Sequence, residues 1–178
     1  LTGPDKVREL ETRCGHAMAP LLGSLVALEF ERLERRRTVY LIGSLRDPQV
    51  PTVAKALRDI GLDVFDDWYA AGPEADDYWQ KYEKQRGHRL DEALEGYPAW
   101  HVFDYDHRHL LRADAGVLLM PAGKSCHLEL GYLMGTGKPG YVLFDKEPER
   151  FDVMYRFCRK VFFDLPSLIN EFSHWREK

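Results

Sequence analysis

Between residues 38 and 145 the chain alternates short apolar runs with longer stretches in which apolar residues recur every third or fourth position. TVYLIGS (38–44), LDVFDDW (62–68), AGVLLMP (115–121) and GYVLFD (140–145) are short, β-branched or aliphatic, and flanked by glycine, proline or aspartate. Such runs read as strands, and the unbroken apolar character of AGVLLMP suits burial on both faces. DPQVPTVAKALRDIG (47–61) has helical spacing, with Asp47 or Pro48 near its start and Gly61 at its stop. Residues 76–113 predict helix, interrupted at Gly87 and at GYP (96–98). A helix carrying Glu129 follows the third strand and closes at GTGKP, with Glu129 expected in its first turn. KVFFDLPSLINEFSHW supplies a last short strand and a helix from about Pro166. Ahead of all this, residues 4–37 have a broad apolar face (Leu21, Leu22, Leu25, Val26, Leu28, Phe30, Leu33) broken at Pro20, which predicts an N-terminal helical extension.

Strands alternating with helices define an α/β layer fold around a parallel sheet. The expected organisation is a helical extension over residues 1–37 and one α/β domain over residues 38–178. In such folds ligands sit at the carboxyl ends of the strands. That rule gathers GSLRDP (43–48), DDWYAAGPEADDYW (66–79), PAGKS (121–125) and FDKEPER (144–150) around one crevice. The apolar face of the extension exceeds what a short helix hides by itself, so self-association through it is expected, a dimer being the simplest form.

Composition narrows the function more than the fold. The 178 residues are 44% hydrophobic and 30% charged, in the range of a globular domain. A net charge of −4 leaves no footprint for nucleic acid or an anionic membrane, and the basic cluster RLERRR (32–37) reads as a solvated helix end. Cys14, Cys126 and Cys158 are odd in number and form no metal or disulfide spacing, which points to a reducing cytoplasm. No apolar run approaches the ~20 residues that span a bilayer, and no secretory signal is visible.

Candidate chemistry concentrates in two helices. Glu129 lies in an apolar, glycine-punctuated segment, where a carboxylate is costly unless paired or used. At 100° per residue, Cys126, Leu130, Leu133 and Gly137 form a core stripe that Glu129 and Tyr132 flank. Glu129 is therefore either a boundary glutamate favoured by the helix dipole or a group aimed into a crevice. Asp106 and Asp114 are eight apart and share roughly one helix face. Asp114 suits a structural anchor; Asp106, beside His107 and His109, suits a proton donor. The two histidines, one residue apart, point their rings away from each other, so no metal site is expected. GKS (123–125) lacks the first glycine of a phosphate loop, Leu118 standing in its place. It reads as a helix start capped by Ser125, or as an anion site of free N–H groups around Gly123, Lys124 and Ser125. Trp68, Tyr69 and Trp79 either pack the loop after the second strand or stack on a flat ligand whose edge nearby carboxylates read.

Taken together, these motifs resemble the nucleoside 2-deoxyribosyltransferases and the related deoxynucleoside monophosphate N-glycosidases, over roughly residues 38–145. YLIGSLR matches the first strand and its glycine–serine turn, DHRHLLRAD the D-x7-D helix that enters the central strand, and HLELGYLMGTGKP the helix of the nucleophile. Leu133 stands where a small residue is usual, and Gly123 where the monophosphate hydrolases have serine. The resemblance implies a flavodoxin-like sheet of about five parallel strands, with Glu129 as nucleophile and Asp106 as acid. Gly43, Ser44, Arg46, Asp67, Trp68, Gly123, Lys124 and Ser125 would contact substrate. It implies cleavage of an N-glycosidic bond with the sugar passed to a base or to water, no metal or organic cofactor, a nucleoside or nucleotide as the small-molecule partner, and a homo-oligomer. Two other readings compete. The first is an NAD glycohydrolase of the TIR-like kind, whose strand–helix–strand opening residues 39–68 also match. The second is a non-catalytic nucleotide sensor on the same scaffold.

Overall fold

The computed structural model describes residues 36–177, so the expected N-terminal helices lie outside the described residues. Five parallel strands form the sheet: β1 (Thr38–Ile42), β2 (Asp63–Phe65), β3 (Ala115–Leu119), β4 (Gly140–Leu143) and β5 (Lys160–Phe162), in the order β2-β1-β3-β4-β5. This is the flavodoxin-like order. Register runs Val39 to Ala115 and Val64 on either side of β1, and Val117 to Tyr141 between β3 and β4.

Alternation along each strand sends side chains to opposite faces, and each face has its own core. Val39, Leu41, Val117 and Leu119 pack with Val50, Val53 and Leu57 of helix α1 (Val50–Asp59) and with Leu168 and Phe172 of the last helix, α6 (Leu165–Ser173). Tyr40, Ile42, Leu118 and Val142 face Leu110 of α4 (Tyr97–Arg112) and Cys126, Leu130 and Leu133 of α5 (Lys124–Gly135). Each such aliphatic side chain contributes about 1.5–3 kcal/mol on full burial. Between β2 and α4 come a 3-10 turn (Asp67–Ala71) and two short helices, α2 (Ala75–Gln85) and α3 (Leu90–Leu94).

Several boundaries differ from the expected ones. The first helix starts at Val50, because the Asp47 carboxylate accepts the Gln49 N–H (2.9 Å) and holds residues 47–49 as a turn, with Pro51 in the first helical turn. β2 ends at Phe65, where Arg58 of α1 grips both the Val64 carbonyl (2.9 Å) and the Asp66 carboxylate and the chain turns away. Ser125 is no cap: Gly123, extended and without a side chain, occupies that position, and Ser125 lies inside the first turn. Glu129 falls in the second turn of α5. Gly137 belongs to no core stripe but ends the helix at φ +84°, a left-handed conformation that glycine adopts without strain.

β1 and β3 are neighbours whose connections leave to opposite faces, towards α1 and α5 respectively. A crevice opens at the carboxyl end of a sheet where connections diverge in this way.

Candidate active site

The floor of the site is Tyr40, 1% exposed in β1, its ring 4.9 Å from Phe65. Asp106 reaches this region from α4 and Glu129 from α5. Their common neighbourhood shows in the Tyr40 hydroxyl, which is held well above its ordinary value by burial and then by the negative charges of Glu129 and Asp106. The neighbouring Cys126 thiol is also pushed up, by burial first and Glu129 second.

Both carboxyl groups hold their protons unusually well. Glu129 rises to about 7 through burial and then repulsion from Asp106; Asp106 rises to about 6 through burial. Burial penalises the charge on both, and the Asp106 charge adds to the penalty on Glu129. Both lie near neutrality and not far apart, as a strict division into acid and nucleophile would have suggested.

The helices are fixed relative to each other by local chemistry. Lys138, just beyond α5, donates to the Leu110 and Leu111 carbonyls at the end of α4. The His107 ring meets the Tyr132 hydroxyl at 2.8 Å, joining the turns that carry Asp106 and Glu129. At the foot of α4, Asp114 accepts the Thr38 N–H (2.8 Å) and its own N–H bonds the Thr38 carbonyl (2.8 Å), the anchoring role its position suggested. His109 stacks on Phe65 at 4.0 Å, so the two histidines do turn to different partners.

The remaining candidates separate into two groups. Gly43 joins the α5 start, since its carbonyl accepts the Cys126 thiol (3.2 Å), and the Trp68 ring lies within contact of it. Trp68 donates its indole N–H to the Leu41 carbonyl (2.8 Å), which holds the ring over the end of β1. Ser44 accepts the Arg46 N–H (3.1 Å). Gly123, Lys124 and Ser125 are exposed at the α5 start, level with these loops. Arg46 and Asp67 are exposed, and Arg46 pairs with Asp77 of α2 at 2.5 Å. Reading the sequence missed Tyr40, although a tyrosine in a strand otherwise apolar on both faces needs a polar outlet for its hydroxyl.

A doubly wound parallel sheet with two proton-retaining carboxyl groups beside its switch point defines the class. By structure, the chain is similar to a 2-deoxyribosyltransferase from the psychrotolerant bacterium Bacillus psychrosaccharolyticus, at 20% sequence identity and a TM-score of 0.52, over 75% of this chain and 90% of that one. No protein-family model matches the chain, and no curated protein matches its sequence.

Proposed function

We propose that this protein cleaves the N-glycosidic bond of a nucleoside or nucleoside monophosphate, passing the sugar through an ester on Glu129 to another base or to water. The observation that carries the reading is the Glu129–Asp106 pair, two neighbouring acids near neutrality over the Tyr40 floor. Breaking such a bond develops positive charge on the sugar's anomeric carbon. The Glu129 carboxylate attacks that carbon while the bonding pair departs with the base nitrogen, which takes the Asp106 proton. The resulting ester is opened by an acceptor base or by water, whose proton returns to Asp106. The structural likeness to a 2-deoxyribosyltransferase agrees with this chemistry and carries the fold.

The test is incubation with a panel of nucleosides and monophosphates, with and without an acceptor base, followed by chromatography. An acid-quenched reaction should show a sugar-sized mass increase on the peptide containing Glu129. Release of nicotinamide from NAD with no base freed from any nucleoside would instead select the glycohydrolase reading.

A further inference from the structure

Three side-chain atoms among the described residues are enclosed without a hydrogen-bond partner: Asp47 Oδ2, Trp79 Nε1 and Glu83 Oε1. Glu83 and Trp79 lie one turn apart on α2, and the other Glu83 oxygen engages His88 at 2.7 Å. Asp47 is differently placed. It stands in the loop leaving the carboxyl end of β1, at the switch point, and is only 7% exposed. Oδ1 accepts the Gln49 N–H (2.9 Å), the backbone N–H donates to the Ser44 carbonyl (3.0 Å), and the carbonyl accepts the Val50 N–H (3.4 Å). Oδ2 alone is idle.

A turn before a helix needs one side-chain oxygen, and serine or asparagine supplies it without burying a second, charged one. An enclosed carboxylate oxygen with no donor is costly, so its presence calls for a use. The loop that carries it adjoins the candidate site. Gly43, four residues earlier, is bonded to Cys126 on the helix of Glu129, and Arg46, next in the chain, is tied to α2.

We propose that Asp47 is a substrate-recognition residue whose free oxygen accepts a hydrogen bond from a neutral donor on the ligand, either a sugar hydroxyl or an exocyclic amino group of the base. This rests on the nucleoside reading above. An ionised carboxylate only accepts, so it selects for a donor, and a ligand without one leaves the oxygen orphaned again. Oδ2 is enclosed, so access requires the loop that carries it to move. The Arg46–Asp77 tie is solvent-exposed on both sides, 59% and 66%, and such pairs open at little cost.

The experiment is calorimetric titration of the Glu129→Gln protein with a deoxynucleoside and two analogues, one lacking a sugar hydroxyl and one lacking the base amino group. One analogue should bind at least ~10-fold more weakly than the parent, and adding Asp47→Asn should erase that difference. Which analogue suffers identifies the donor. Asparagine keeps the oxygen that caps Gln49, so the thermal midpoint should hold; Asp47→Ser, which also caps, serves as the second variant. Equal binding of all three ligands, or discrimination that persists in the folded Asp47 variants, overturns the assignment. Should neither variant fold, the analogue series on the Asp47-intact protein still decides, since equal affinities refute it. Base release by the wild type with unchanged selectivity in Asp47→Asn would sink the Asp47 assignment alone. Absence of both binding and cleavage across the panel would sink the nucleoside reading as well.

Discussion

Replacing Glu129 by glutamine should make the protein inactive and, above neutrality, more stable. In the folded chain the carboxyl group rises from its ordinary 4.5 to about 7, chiefly because burial penalises its charge. Below pH 4.5 the group is protonated whether the chain is folded or not, and glutamine changes little. Between those two values the unfolded chain ionises while the folded one keeps its proton, so wild-type stability falls as pH rises, by about 1.4 kcal/mol per pH unit. Above pH 7 both states are ionised and the penalty is constant. The full interval corresponds to about 3 kcal/mol, and the residual solvent contact of the side chain brings this to about 2 kcal/mol. For a protein of this size that is roughly 4–8 °C in the melting midpoint. The amide cannot form a sugar ester, so turnover should fall by at least ~10³-fold. The assay is thermal unfolding of both proteins at pH 4, 6 and 8, alongside base release at pH 7. A variant that melts no higher than wild type at pH 8, or whose advantage is the same at pH 4 as at pH 8, would refute the account of a buried, charge-penalised carboxylate. Near-normal turnover would refute its role as nucleophile.

Other outcomes follow from the same geometry. Asp106→Asn should lose activity on ordinary bases and recover part of it on substrates with better leaving groups; equal losses on both would limit Asp106 to positioning. The dependence of kcat/KM on pH should be bell-shaped, rising as the pair loses its first proton near 6 and falling as it loses the second near 7; a flat profile from pH 5 to 8 would contradict two working carboxyl groups held near neutrality. Gly140→Ala should cost about 1–3 kcal/mol in denaturant unfolding. Its added methyl would lie 2.7 Å from Met134 Sδ and 2.8 Å from Leu130 Cδ1, so wild-type stability would mean that α5 shifts freely on β4.

The strands were legible because a strand buried on both faces must be apolar at nearly every position, and the runs around residues 38–42, 115–119 and 140–143 are. Strand ends were not, since Arg58 fixes the end of β2 through a contact that sequence spacing does not encode. Glu129 was visible as a lone carboxylate flanking an apolar helical stripe, and Asp106 as an acid beside two histidines, eight residues before Asp114. The proximity of the two, and the Tyr40 floor between the helices, depend on which helices share a sheet face, and periodicity within one helix is silent on that. Ser125 misled because a serine near a helix start is usually its cap, whereas here glycine adopts the extended cap conformation and leaves serine in the first turn. Trp68 was read as either packing or stacking, and its bond to the Leu41 carbonyl assigns the indole N–H to packing.

The pair's proton has a consequence for how the reaction would be reached. With Glu129 raised to about 7 and Asp106 to about 6, the site near neutrality is neutral or singly ionised, and the reactive arrangement, with Glu129 ionised and Asp106 protonated, is one of its protonation states. In the proposed reaction the transition state would favour that arrangement, because positive charge would grow on the sugar next to Glu129 while the departing base nitrogen would become basic next to Asp106. Each change favours the reactive placement only once bond breaking has begun. A burial that penalises charge on both acids would therefore keep the resting site neutral or singly ionised and release its electrostatics where a nucleoside substrate became an ion pair. A cation placed beside Glu129 would lower its value and populate the nucleophile at rest, but it would also spend the attraction before the transition state and repel the forming oxocarbenium charge. The placement of Glu129 near Tyr40, Cys126 and a second carboxyl group, groups that carry negative charge and never positive, suits the proposed chemistry.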